Sequence, residues 1–113
     1  KNKKYVAFGS SGKFLDVMKY DFSIFQKRKQ ELKIQSRVVL SEKVRNKAPV
    51  RESYGKYKFI EDKYSSPIAT YVYGNKVSIM VWSEIPVATV ITDKKVADSF
   101  RNYFEMIWKI AKE

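Results

Sequence analysis

The sequence predicts an α/β domain, a mixed β-sheet flanked by two main α-helices, and three observations lead there. Short apolar runs at residues 5–8 and 37–40 are separated by an amphipathic segment, the pattern of two parallel strands joined by a right-handed crossover. Further β-rich runs follow, two of them split by Gly74-Asn75-Lys76, a hairpin signal that extends the sheet with antiparallel strands. Residues 95–111 then hold apolar side chains at i, i+4, i+7, i+8 spacing, the mark of a helix with one buried face. At 113 residues, 44% hydrophobic and 15% aromatic, the chain fits one domain able to build its own core.

Taken in order, Tyr5-Val6-Ala7-Phe8 reads as a buried strand entering the tight turn Gly9-Ser10-Ser11-Gly12. Ser11 caps a following segment in which Phe14, Leu15 and Met18 fall at helical spacing. From Asp21 to Lys33, Phe22, Phe25 and Leu32 share one side with Ile24 beside them, and Gln26, Lys27, Arg28, Gln30 and Glu31 cover the rest. This is the first expected main helix. Arg37-Val38-Val39-Leu40 is a second strand. Ser41 to Lys56, polar, aperiodic and carrying Pro49 and Gly55, reads as a loop. Tyr57-Lys58-Phe59-Ile60 is a strand ended by Glu61-Asp62-Lys63. Ile68–Tyr73 and Val77–Trp82 flank the hairpin turn, and Glu84-Ile85-Pro86 makes another turn. Val87 to Ile91 is hydrophobic enough throughout to predict a strand with no exposed face. Asp93 caps the final helix, whose stripe of Val96, Phe100, Tyr103, Phe104, Ile107 and Ala111 reads as core or interface.

Composition removes several chemistries. Without cysteine or histidine there are no disulfides, no thiolate nucleophile, no zinc site of the usual kinds and no imidazole acid–base catalysis. No run is long and apolar enough to span a membrane, and no apolar signal core opens the chain. Absence of cysteine fits a cytoplasmic location. A first residue of Lys rather than Met suggests a domain excised from a longer chain.

The net charge of +11 favours an anionic partner. Its placement is uneven: residues 1–60 hold sixteen Lys/Arg against five Asp/Glu, whereas residues 61–113 hold seven of each. One reading is a basic face near nucleic acid, the other a lysine-rich solvated surface. The turn Gly9-Ser10-Ser11-Gly12-Lys13 follows a strand and opens a helix, so its backbone N–H groups and hydroxyls suit a phosphate or carboxylate. It lacks the spacing of a Walker A loop or a dinucleotide fingerprint. Arg45 and Arg51 are candidates to clamp an acidic group, with solvated loop charge as the alternative. Tyr54, Tyr57, Tyr64, Tyr71 and Tyr73 suit either base stacking or sheet packing, and Trp82 and Trp108 read as core or interface anchors. Glu61, Asp62 and Glu84 form no catalytic pair, so no enzyme activity, metal or cofactor is expected.

Two longer stretches carry a family resemblance. Ser65-Ser66-Pro67-Ile68-Ala69-Thr70-Tyr71-Val72-Tyr73-Gly74-Asn75-Lys76-Val77-Ser78-Ile79 resembles the part of phospholipase D-like domains that bears the HxKxxxxD motif. Pro86-Val87-Ala88-Thr89-Val90-Ile91 and the helix through Ser99-Phe100-Arg101-Asn102-Tyr103-Phe104 resemble its sequel. With Ile107-Trp108-Lys109-Ile110-Ala111-Lys112, the wording is similar to one branch, the C-terminal domain of TrmB-like transcriptional regulators of archaea. Phe8 to Leu15 and Phe25-Gln26-Lys27-Arg28 are similar to the same branch. Aligned so, Pro67 takes the histidine position, Ala69 the lysine position and Gly74 the aspartate position of the HKD motif, and no phosphodiesterase nucleophile remains. The resemblance implies a phospholipase D-like fold and a non-catalytic regulatory domain that senses a small-molecule or anionic effector or dimerises. It also implies a winged helix-turn-helix upstream that contacts DNA. A homodimer through apolar sheet or helix surface is expected, with half-site spacing set by the dimer. The alternative is a basic nucleic-acid-binding module on a degenerate phospholipase D-like scaffold.

Overall fold

Runs rich in β-branched and aromatic residues become six strands in the computed structural model, which describes residues 4–9, 27, 31–46, 55–82, 85 and 87–113. The strands are β1 (Lys4–Phe8), β2 (Gln35–Ser41), β3 (Lys56–Ile60), β4 (Ile68–Tyr73), β5 (Lys76–Val81) and β6 (Val87–Thr92). A 17-residue helix, α1 (Lys94–Ile110), follows β6, and short 3-10 turns occupy Glu42–Val44 and Asp62–Tyr64. All six strands form one sheet in the order β3-β2-β1-β4-β5-β6. The pairs β1–β2 and β2–β3 are parallel, and β1–β4, β4–β5 and β5–β6 are antiparallel. The expected mixture of a parallel crossover and an antiparallel meander is therefore present.

Alternation along each strand gives the sheet two faces. Val6, Phe8, Val39, Ile60, Val72, Val77 and Ile79 meet α1 through Ala97, Phe100, Phe104, Ile107 and Trp108. The opposite face gathers Ala7, Val38, Leu40 and Phe59 with Tyr5, Tyr57 and Tyr71. Asp93 opens α1 by accepting the Val96 N–H at 3.0 Å, as its cap position predicts. The helix is about 25 Å long, close to the ~24 Å width of six strands, and it crosses the sheet from the β6 side to β3. There Lys112 exchanges both backbone hydrogen bonds with Phe59, at 2.7 and 2.8 Å, and closes that margin with a one-residue bridge.

Three expectations are corrected. The sheet is not flanked by two main helices: among the described residues the chain is mostly sheet, with α1 the single long helix. In the segment expected to supply the other, Lys27 and Glu31 are helical and exposed, but Leu32, counted in its apolar stripe, sits in a turn and is 45% exposed. Leu32 therefore does not contribute to a second buried face, and among the described residues α1 alone spans the sheet. Second, β6 has two exposed faces and not none, because it is the last strand of the meander and lies at the sheet margin. Val87 is 55% and Val90 52% exposed. Third, Tyr103 leaves the core stripe for solvent, where its ring meets the edge of Phe100. The rest of the first half, including Phe14, Leu15, Met18, Phe22 and Phe25, lies outside the described residues.

Candidate functional site

Three parallel strands end at the same margin of the sheet, the position where open α/β sheets place ligands. Gly9 follows β1 there, Ser41 closes β2, and Asp62 to Pro67 follow β3 and lead into β4. The polar groups of this margin bond one another. Ser41, fully buried, donates its hydroxyl to Asp62 Oδ1 at 2.6 Å and accepts the Lys43 N–H at 3.1 Å. Ser65 Oγ donates to the Asp62 carbonyl and carboxylate at 2.7 and 3.0 Å. These hydroxyls hold the Asp62 carboxyl below its ordinary range, with Lys43 adding a weaker pull. A buried serine whose proton already points at a carboxylate cannot reach a substrate. The arrangement clasps the two 3-10 turns together.

Gly9 has φ +94°, and a Cβ built on it would stand 3.0 Å from the Ile68 carbonyl oxygen, while its own carbonyl accepts the Ser66 N–H at 2.9 Å. This position needs glycine because backbone passes close by. Of the expected anion-binding residues Gly9, Ser10, Ser11, Gly12, Lys13, Arg45 and Arg51, only Gly9 and Arg45 are described, and both lie at this margin. Arg45 is committed internally: its guanidinium grips Glu42 at 2.7 and 2.6 Å, donates to the Glu113 carbonyl at 2.7 Å and covers the Phe59 ring at 4.3 Å. The Arg45 pair holds the Glu42 carboxyl below its ordinary range.

The three positions aligned with the HKD motif do not converge. Pro67 is exposed beside Trp82, whose backbone N–H donates to the Pro67 carbonyl at 2.8 Å. Ala69 is buried within β4, and Gly74 turns the hairpin at the other end of that strand, about 20 Å away along the chain. The basic half has its own cluster on the helix side of the sheet. Arg37 lies 5.0 Å from the Phe104 ring and 5.4 Å from that of Trp108, and binds Glu105 with both nitrogens at 3.1 and 2.5 Å. Lys58 stands 4.7 Å from the Trp108 ring and donates to the Trp108 carbonyl at 3.1 Å. Both cations serve to dock the end of α1.

Two exposed surfaces are apolar. Tyr103, Met106 and Ile110 make an exposed stripe on the outer side of α1, and β6 carries exposed Val87, Ala88 and Val90 with no ionisable residue from 87 to 92. Among the described residues no strand lies beyond β6. Sequence reasoning missed this edge. The signal was available, since Val87–Ile91 follows the hairpin as the meander's third strand and leads into a helix and not into another hairpin. Among the described residues no acidic cluster could hold a metal ion, and no helix is long and apolar enough to cross a membrane. No family model, curated protein or solved structure matches the chain.

Proposed function

We propose that this chain is a non-catalytic regulatory domain of the TrmB-like kind, acting in the cytoplasm, whose work is self-association in service of a DNA-binding unit elsewhere in its protein. The observation that carries the reading is the uncommitted apolar surface. At the margin where a ligand is expected, the described groups Ser41, Ser65, Asp62, Glu42 and Arg45 bond one another, whereas β6 and the outer stripe of α1 expose apolar side chains in a chain of net charge +11. Association would fix the distance between two DNA-binding units, and an anionic or small-molecule effector near Gly9 would act by shifting that association.

Sedimentation of the chain over a range of concentrations tests the reading, with duplex DNA retention and phosphodiester turnover measured on the same sample. A concentration-dependent dimer without DNA affinity supports it. Retention of DNA that falls steeply with salt replaces it with the nucleic-acid-binding reading. Steady turnover of a phosphodiester overturns it.

A further inference from the structure

We propose that two copies of the chain join through β6, edge to edge and antiparallel, with Val90 on the two-fold axis. The inference rests on the self-association reading above and specifies its surface.

The two margins of the sheet are treated differently. At β3 the Lys112 bridge occupies the backbone of Phe59, and Lys56 and Lys58 line the strand, both devices that block further pairing. At β6 neither device is present among the described residues. The direction of its free groups follows from one bond. Asp93 N–H donates to the Asn75 carbonyl at 2.8 Å, and Asn75 and Asp93 stand opposite each other one step beyond the Lys76–Thr92 pair. In an antiparallel ladder, pairs that exchange both bonds alternate with pairs that exchange none. Val87, Thr89 and Ile91 therefore bond to β5, and Ala88, Val90 and Thr92 turn their N–H and C=O groups outward. That outward set is symmetric about Val90. A second copy fits it with Val90 opposite Val90 and Ala88 opposite Thr92, making about six hydrogen bonds.

Charge selects a second copy as the occupant. Within the sheet, β3-β2-β1 carry Lys4, Arg37, Lys56 and Lys58 and no acidic residue, whereas β4-β5-β6 carry Lys76 alone. Joined at β6, two copies hold these three basic strands about 15–24 Å from the junction on either side, beyond the ~8–10 Å over which salt leaves charges interacting. A junction at the β3 margin would bring Lys56 and Lys58 of the two copies together. A polyanion has no cation to meet on β6.

The chain contains no cysteine, so single substitutions report proximity directly. At a Val90–Val90 pair the Cα atoms stand about 5.5 Å apart, within disulfide reach. Val90→Cys is expected to give a disulfide-linked dimer on mild oxidation. Val87→Cys on the same strand, about 20 Å from its counterpart in this register, and Met106→Cys on α1 are expected to stay unlinked. Val90→Lys is expected to weaken dimerisation at least about tenfold by opposing like charges, with far-UV circular dichroism unchanged. A native chain that sediments as a dimer while Val90→Cys fails to link overturns the β6 junction and leaves the self-association reading standing. Linking of Val87→Cys as fast as Val90→Cys overturns the register. A native chain that stays monomeric at millimolar concentration overturns both the junction and the reading.

Discussion

Gly9 and Gly74 both have positive φ, at +94° and +57°, yet they make different demands on the residue. At Gly74 a side-chain carbon would meet nothing within 4 Å, so only the backbone conformation resists a larger residue. At Gly9 the Ile68 carbonyl, itself part of the sheet, stands in the way as well. Gly74→Ala is expected to cost about 1 kcal/mol, and Gly9→Ala about 2–3 kcal/mol, since strain and backbone displacement add. Urea denaturation of the two variants compares them, and equal losses would refute the crowding at Gly9. Ser10, Ser11 and Gly12 lie outside the described residues, but the end of β1 at Gly9 was legible because a glycine after an apolar run breaks a strand. The role of Asp62 was not, because its partner Ser41 lies 21 positions away and only the parallel pairing of β2 with β3 brings them together.

Among the elements, α1 shows how local signals and tertiary packing combine. Its cap, its period and its aromatic stripe were all readable, and the structure keeps each except Tyr103. Asp93→Ala removes the bond to the Val96 N–H and is expected to lower stability by about 1 kcal/mol. Phe104 is fully buried between the Phe8 ring at 6.2 Å and the Trp108 ring at 5.6 Å. Phe104→Ala is expected to cost about 3–5 kcal/mol, several times the cap, and thermal melts of the two variants should separate clearly. A Phe104→Ala loss no larger than the cap would mean that α1 is not packed on the sheet as described. β6 marks the limit of such reading. Composition says that Val87–Ile91 favours a strand, but whether a strand is central or marginal depends on what the rest of the chain supplies as neighbours. A run of apolar residues does not by itself prove burial, and an edge strand is where that inference breaks.

At the level of the whole molecule, the division of charge between halves was visible in the sequence, while its meaning depended on strand order, which places the basic strands β1, β2 and β3 together at one side of the sheet. Two sets of ionisable groups then set the pH range of stability from opposite sides. Hydrogen bonds from Ser41 and Ser65 to Asp62, from Arg45 to Glu42, from Lys94 to Asp98 and from Arg37 to Glu105 lower these carboxyls. A lowered folded value means the unfolded chain takes up protons first. Their stabilisation is therefore complete above the ordinary carboxylate range of about 4 and fades as pH falls through the folded values. The groups are exposed, so this acid limb should be shallow. Tyr5 and Tyr71 act in the other direction. Burial raises both phenols, and Tyr57 adds to the rise in each, against the lowering bonds from Ser36 to Tyr5 and from Trp82 to Tyr71. With folded values above the unfolded value of about 10, the folded chain keeps protons that the unfolded chain releases, so stability holds below that pH and falls as pH climbs past it. Denaturation midpoints across pH should show a plateau with a steeper alkaline edge. Among the eight tyrosines, the last to gain phenolate absorbance should do so together with the loss of far-UV circular dichroism. Tyr5→Phe should soften that edge, because the ring still packs on Tyr71 at 6.2 Å and no longer carries a proton to lose. If every tyrosine instead ionised in the ordinary range with the sheet intact, the phenols of Tyr5 and Tyr71 would have to be open to water, and the tyrosine face of the sheet would need redrawing.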